Sequence, residues 1–273
     1  MKEFYAFLSM MLIISISYGQ RLQTPTLSPY TKITQEVGLT EIGLEYARPS
    51  AKGRTIFGSL VPFDKIWRTG ANASSKITIT ESVHIGGQKL EAGTYALYTI
   101  PGKEEWTVIV HGNTKLRSLA GDGYKPENDI FRFQVKPART TDFVETFTMQ
   151  FAALKSNSVQ LQLMWEHTIV SIPVEVEVDQ KIENQLAEMM QTPDKVPHRT
   201  YFEAAQYYLN NGKDLDKTLG FIDTALEKSQ NNFRYGLLKS KILYKRGEHK
   251  AALVAVNEAH EWAKKAQNAN YME

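Results

Sequence analysis

Two hydrophobic periods divide the chain. From about Thr31 to Asp179, apolar residues recur at every second position, the spacing of a strand with one buried face. In Ser75–Ser82 (SKITITES), Ile77 and Ile79 alternate with Thr78 and Thr80. The next strand signals lie at Val83–Ile85, at Thr94–Ile100 (TYALYTI) and at Glu105–Gly112 (EWTVIVHG). Gly86-Gly87 reads as a hairpin turn, because both residues tolerate positive φ, and Pro101-Gly102 reads as another turn. Further on, DIFRFQVKP sets Ile130 against Phe131, Phe133 and Val135, and TFTMQFAAL puts Phe147, Met149 and Phe151 on one face. The closing stretch SVQLQLMWEHTIVSIPVEVEV is read as two strands. Eight to ten short strands without intervening helices predict an antiparallel sandwich or barrel.

Near Asp179 the period becomes helical. Ile182, Leu186 and Met189 or Met190 share a face, with Asp179 as N-cap. Pro193 and Pro197 interrupt, and Thr200 with Glu203 forms a capping-box pattern. Helices then run to about Ala266, with breaks at Asn210-Asn211-Gly212, Gln230-Asn231-Asn232 and Gly247. Thr218, Ile222 and Ala225 correspond to Ala252, Val256 and Ala259, each pair 34 residues apart. That period resembles tetratricopeptide repeats, although the first helix of each unit fits less well. The chain is therefore α+β: a β-domain over 27–178, then an all-α tail of helical hairpins over 179–273.

The first 19 residues change the picture of compartment. Lys2, the apolar run Phe7–Ser17 and the small residues Ser17 and Gly19 have the layout of a cleaved secretory signal. The run is shorter than a bilayer span needs. A soluble, exported protein is expected, periplasmic or extracellular, with no membrane span after cleavage. The chain has no cysteine, which excludes a lipidated cysteine, a disulfide framework and thiol chemistry. Lys and Arg number 32 against 30 Asp and Glu. This balance gives no basic stripe for a nucleic-acid backbone.

Catalytic signatures are missing. The six histidines, at 84, 111, 167, 198, 249 and 260, form no helical His-Glu-x-x-His. Each is read as a surface or hairpin residue. Glu81/His84 and Glu166/His167 fall at strand spacings that point the two side chains to opposite faces. No metal or cofactor is expected. The residues Tyr95 and Tyr98 cannot share a strand face, so at least one belongs in the core.

One segment stands apart: EYARPSAKGRTIFGSLVPFDKIWRTGAN, Glu45–Asn72. Pro49 ends a strand after Arg48, and Gly53 permits a tight turn. Arg48, Lys52 and Arg54, with the Ser50 hydroxyl, suit a carboxylate, sulfate or phosphate. Trp67, Arg68, Thr69 and Asn72 add the aromatic face and polar groups that sugar sites use. These eight are the candidate ligand-binding residues. A second reading is open: Trp67 is core, and the polar side chains satisfy the backbone of a long loop.

These residues also carry a family resemblance. Tyr46, Arg48, Pro49, Ser50, Gly53 and Arg54, then Trp67 to Asn72, then Gly93, Thr94, Tyr95 and Leu97, resemble the pattern of domain of unknown function 2911 over roughly Leu27–Val178. The resemblance implies an exported β-domain; it does not imply an activity. One departure is visible: the segment HGNTKLRSLAGDGYKPEND has no Trp, where similar proteins often place aromatic residues.

The expected function is non-enzymatic binding of an anionic or glycan ligand, and the helical tail either contacts a protein partner or packs on the β-domain. A hydrolase of envelope or dietary polymers, using Asp64 or Glu45 as general acid or base, and a purely structural or assembly protein are the alternatives.

Overall fold

The computed structural model describes residues 22, 24–117, 119 and 123–267. The expected signal segment, 1–19, lies outside them. The chain divides into two compact units at Val176/Glu177.

The first unit holds ten strands: β1 (Tyr30–Val37), β2 (Thr40–Ala47), β3 (Ser75–Ile79), β4 (Val83–Ile85), β5 (Gln88–Leu90), β6 (Gly93–Ile100), β7 (Trp106–His111), β8 (Asp129–Val135), β9 (Ala138–Ala152) and β10 (Ser158–Val176). Six form one sheet in the order β1-β2-β3-β6-β7-β8, and four form the other, β5-β4-β10-β9. Every strand pair within the two sheets is antiparallel. Neither sheet closes on itself, so the architecture is a sandwich rather than a barrel. Alternation decides which face is inside: Ile42, Leu44 and Tyr46 of β2 and Ile77 and Ile79 of β3 are buried, while Glu41 is exposed. Of the tyrosine pair on β6, Tyr98 is the core residue.

The β4–β5 hairpin turns at Gly86 (φ 58°) and Gly87 (φ 79°). Gly86 is required twice over. A Cβ there would also sit 2.3 Å from the ring of Phe133 in the facing sheet, far inside van der Waals contact.

The closing stretch is one strand, not the two expected. In β10 the buried residues are odd-numbered from Val159 to Trp165 and even-numbered from Val170 to Val176. The phase reverses at Glu166, which has φ 50° and interrupts the register with β9 on both sides. Glu166 itself stays paired with Val144, and the extra residues at the two register shifts lie on β9, where Thr148, Val144 and Arg139 stand opposite Met164, Glu166 and Thr168. The left-handed backbone at this bulge turns the following side chains of β10 to the other face. It achieves without a turn what was read as a strand break.

The second unit has five helices: α1 (Val178–Met189), α2 (His198–Asn210), α3 (Leu215–Lys228), α4 (Phe233–Lys245) and α5 (His249–Lys265). The hairpins α2–α3 and α4–α5 form as the breaks predict, and α3 and α5 begin 34 residues apart. Ala205, Ile222, Ala225 and Ile242 form their core with Tyr201 and Tyr235. Gly236 lies beneath Trp262, where a Cβ would come within 2.8 Å of the indole. Two helix starts differ from expectation. Asp179 is in the first turn of α1, not its cap, and Glu177 holds the cap position. Helix α2 already begins at His198 behind Pro197, so Glu203 pairs with Arg199 at 2.7 Å and closes no capping box. Among the described residues no helix is long and apolar enough to cross a membrane.

Asp179 and Glu183 of α1 take hydrogen bonds from the hydroxyls of Tyr207 and Tyr208 and ion pairs from Lys213 and Lys217, each at 3.0 Å. The tyrosine hydroxyls first, and then the ammonium groups, hold both carboxyls below their ordinary range. A depressed carboxyl adds stability that is complete above its unfolded pKa, about 4, and vanishes as pH falls through the lower folded value. Both groups are partly exposed, so the effect is modest. The urea midpoint of the helical unit should therefore be level from neutral pH down to about 5 and fall below about 4. Glu183→Gln should show a shallower acid fall. Equal slopes in the two proteins would mean that Glu183 carries no linkage.

Candidate functional site

The Arg48–Asn72 segment is fastened to the edge of the second sheet. Strand β9 pairs with β10 on one side, which leaves outward backbone groups on the other. The segment covers them. Pro49 O accepts from Phe147 N–H and Ala51 N–H donates to Glu145 O, both at 2.8 Å. The Tyr46 hydroxyl accepts from Met149 N–H at 2.8 Å and donates to Met149 O at 2.9 Å. Arg48 donates from Nε to Phe147 O at 3.1 Å and from Nη2 to Thr148 Oγ1 at 2.7 Å. Ser50 Oγ meets Thr146 Oγ1 at 2.8 Å.

The chain then turns at Lys52 (φ 51°) and Gly53 (φ 71°). Lys52 N–H donates to Glu145 Oε1 at 2.8 Å, while the Lys52 side chain remains exposed. Arg54 braces the turn from below, donating from Nε to Ala51 O at 2.9 Å and from Nη2 to Ser50 O at 2.7 Å.

Trp67 enters the first sheet by exchanging backbone hydrogen bonds with Thr99 of β6, at 2.7 and 3.0 Å. Its indole Nε1 donates to Gly70 O at 3.1 Å. Thr69 is fully buried, its hydroxyl 3.1 Å from that of Thr99. Arg68 Nη1 donates to the carbonyls of Asn72 and Arg117, at 2.5 and 2.7 Å. Asn72 Nδ2 reaches Ser28 O at 3.4 Å. All three arginines thus spend donors on carbonyl oxygens, and the eight candidate side chains do not meet in one place.

Four of them do. Ser50, Lys52, Arg54 and Trp67 line a cleft of about 550 Å³ together with Trp165 and Leu60. Trp67 and Trp165 stack at 5.9 Å with an interplanar angle of 22°, and they form its aromatic wall. The lining holds two cations and no carboxylate. Arg48, Arg68, Thr69 and Asn72 stand outside it. Neither carboxylate considered for acid–base work reaches the cleft either: Glu45 pairs with Lys32 at 3.4 Å, and Asp64 occupies a turn (φ 57°) whose N–H donates to Pro101 O.

Behind the wall lies a cluster of rings. Phe57 lies 4.9 Å from Trp106, Trp67 lies 5.0 Å from Phe147, and Phe147 lies 5.7 Å from Trp165, centroid to centroid. Most of these contacts are edge-on, the geometry aromatic quadrupoles favour. Sequence reasoning missed Trp165, about a hundred residues from the loop. Its signal was the apolar run of β10, which places Trp165 in the same buried phase as Leu161 and Leu163.

One histidine departs from the surface or hairpin reading. His111 is fully buried. Its Nδ1 accepts from Asn113 N–H at 3.0 Å, and its Nε2 donates to Lys125 O at 3.3 Å. Tyr124 stacks on it and gives its hydroxyl to Asp129 at 2.7 Å. Burial first, and then Asp129, push that hydroxyl well above the ordinary tyrosine range. Among the described residues no three His, Asp or Glu side chains gather as a metal-holding group.

The profile of the family described as "Protein of unknown function (DUF2911)" matches residues 28–174, more than half of the 273-residue chain. The chain belongs to the DUF2911 family. The match begins just before β1 and ends two residues short of the end of β10, so the DUF2911 region is the β-unit, and the helical unit follows it. No curated protein and no solved structure matches the chain. The resemblance read from Tyr46–Arg54 and Trp67–Asn72 thus falls inside the matched span. In this DUF2911 unit the first motif covers the β9 edge and the second ties the loop to β6.

Proposed function

We propose that this DUF2911 protein is an exported, non-enzymatic binding protein whose cleft takes a compact anion with an apolar or sugar face. The observation that supports it is the convergence of Lys52, Arg54 and Ser50 on the rim of an opening walled by Trp67 and Trp165. The two indoles are mostly buried, Trp67 8 % and Trp165 2 % exposed, so they close the cleft with a narrow apolar edge, and the two cations, unopposed by any carboxylate in the lining, give the site its sign. Export rests on the N-terminal pattern of Lys2 and Phe7–Ser17. The helical unit is read as two tetratricopeptide-like hairpins serving a protein partner. Support comes from the spacing of α3 and α5 and from the outward-facing Tyr244, Leu253 and Val254.

The cleft is tested by titrating sulfate, benzoate and N-acetylneuraminate into the full chain while following tryptophan emission and heat. At least one should bind. Lys52→Ala, which removes an exposed ammonium and leaves the backbone bond to Glu145 in place, should weaken it about tenfold, or about 1.4 kcal/mol. Binding unchanged in Lys52→Ala, or no binding of any of the three, would leave the segment as a fastening of the fold alone.

A further inference from the structure

A second cavity of about 420 Å³ opens in the β-unit, lined by Lys103, Trp106, Arg139, Phe143, Glu166 and His167 among others. Strand alternation would send Glu166 and His167 to opposite faces. The bulge overrides this and puts both on the cavity wall. Glu166 is held at φ 50°, a backbone region that residues other than Gly, Asn and Asp rarely occupy. Its Oε1 is anchored by Ile56 N–H at 3.1 Å, so one carboxylate oxygen is fixed and the other remains to accept. Bulges recur where a strand must re-aim a side chain, and strain of this kind clusters at sites that use it.

The other groups define what fits. His167 Nδ1 lies 3.2 Å from Thr140 O. A carbonyl only accepts, so Nδ1 carries a proton, and Nε2 of the neutral ring is a second acceptor. Arg139 and Lys103 are exposed. Counting only the permanent charges, two cations face Glu166 and the cavity's formal charge is +1. Phe143, 51 % exposed, supplies apolar ring surface and packs edge-on against His167 at 5.4 Å, while Trp106, 2 % exposed, only floors the cavity. A monoanion is favoured by the charge. Hydroxyl donors are favoured by Glu166 and Nε2. A flat apolar face is favoured by the Phe143 ring.

We propose that this cavity binds an acidic saccharide, a uronate pyranose. Its carboxylate meets Arg139 and Lys103, its hydroxyls donate to Glu166 and His167, and its C–H face lies on the Phe143 ring. The site is distinct from the Trp67–Trp165 cleft and does not depend on it.

Calorimetry on the full chain tests this with digalacturonate, its dimethyl ester and phenylalanine as probes. Digalacturonate should bind, and the uncharged ester should bind about tenfold more weakly. Arg139→Ala should weaken digalacturonate about tenfold and leave the ester unchanged, as loss of one ionic contact requires. Phe143→Ala should weaken both probes. Both side chains are exposed, so circular dichroism should match the parent. Lys52→Ala separates the two openings: digalacturonate binding that survives it belongs to this cavity, and binding wholly lost with it belongs to the Trp67–Trp165 cleft and overturns the proposal. The proposal is overturned if the ester binds as tightly as the acid, if Arg139→Ala has no effect, or if phenylalanine binds more tightly than digalacturonate. It is likewise overturned by the absence of digalacturonate binding at about 10 mM, a concentration at which even a weak specific site fills.

Discussion

Trp67→Ala should cost the β-unit about 4 kcal/mol of unfolding free energy, the range seen when a large buried aromatic is truncated. Trp67 is only 8 % exposed. It touches Phe57, Trp106, Phe147 and Trp165 with ring centroids 5.0–6.4 Å away, so its loss opens a void that four rings line. The site cannot collapse easily. The Trp67 backbone is tied in both directions to Thr99, and Phe147 and Trp165 belong to the paired strands β9 and β10. The indole's bond to Gly70 O is lost as well. Trp67→Phe keeps part of the volume and should cost roughly half as much. Urea unfolding followed by circular dichroism measures both. A loss under about 1.5 kcal/mol for the alanine variant would mean that the cluster repacks, and that Trp67 is not the keystone of this core.

Tyr46→Phe should cost about 2 kcal/mol although it removes a single oxygen. That oxygen serves both backbone groups of Met149, accepting from its N–H and donating to its carbonyl, in surroundings where Tyr46 is 3 % exposed. Deleting it leaves a donor and an acceptor buried without partners, each worth about 1–3 kcal/mol in lost hydration. The ring itself, edge-on to Phe147 at 5.8 Å, is retained, so packing changes little. Tyr95→Phe is the control. Its hydroxyl donates to Glu91 O at 3.0 Å at an exposed position, where water replaces it, and the cost should stay below about 0.5 kcal/mol. If the two variants lose equal stability, the β9 edge is satisfied without Tyr46. If Tyr46→Phe alone is destabilised and also aggregates, the hydroxyl guards an edge that would otherwise pair with another chain.

Both predictions concern the segment most conspicuous in the sequence, and they show how far sequence reading carries. Arg48, Arg54 and Arg68 could be recognised as cations on a loop. Their donors could not be traced, because their partners are carbonyls at 147, at 50 and 51, and at 72 and 117. A carbonyl is present at every residue and leaves no mark in the sequence. The cleft wall was hidden for a related reason. Trp67 and Trp165 are adjacent only because β9 and β10 fold back beneath the loop, and no local pattern records that long-range pairing. His111 read as a surface or hairpin residue, but it is fully buried and the ring of Tyr124 covers it.

Other features were legible because their causes are local. The Gly86-Gly87 hairpin, the antiparallel pattern and the helical breaks follow from side-chain period and backbone freedom, which operate over a few residues. The phase reversal in β10 was present in the sequence as well. A turn and a bulge both shift alternation by one, so the period alone could not choose between them. The sequence by itself determined the inward-facing apolar period of strands such as β2 and β3 and of the helices, and where the chain changes from sheet to helix, since burial of apolar surface depends on period and composition. Only the tertiary structure decided that the arginines brace carbonyls, that Lys52 and Arg54 share a cleft with two stacked indoles, and that Glu166 and His167 face one cavity. Those are contacts between segments distant in sequence, and pairing of strands creates them.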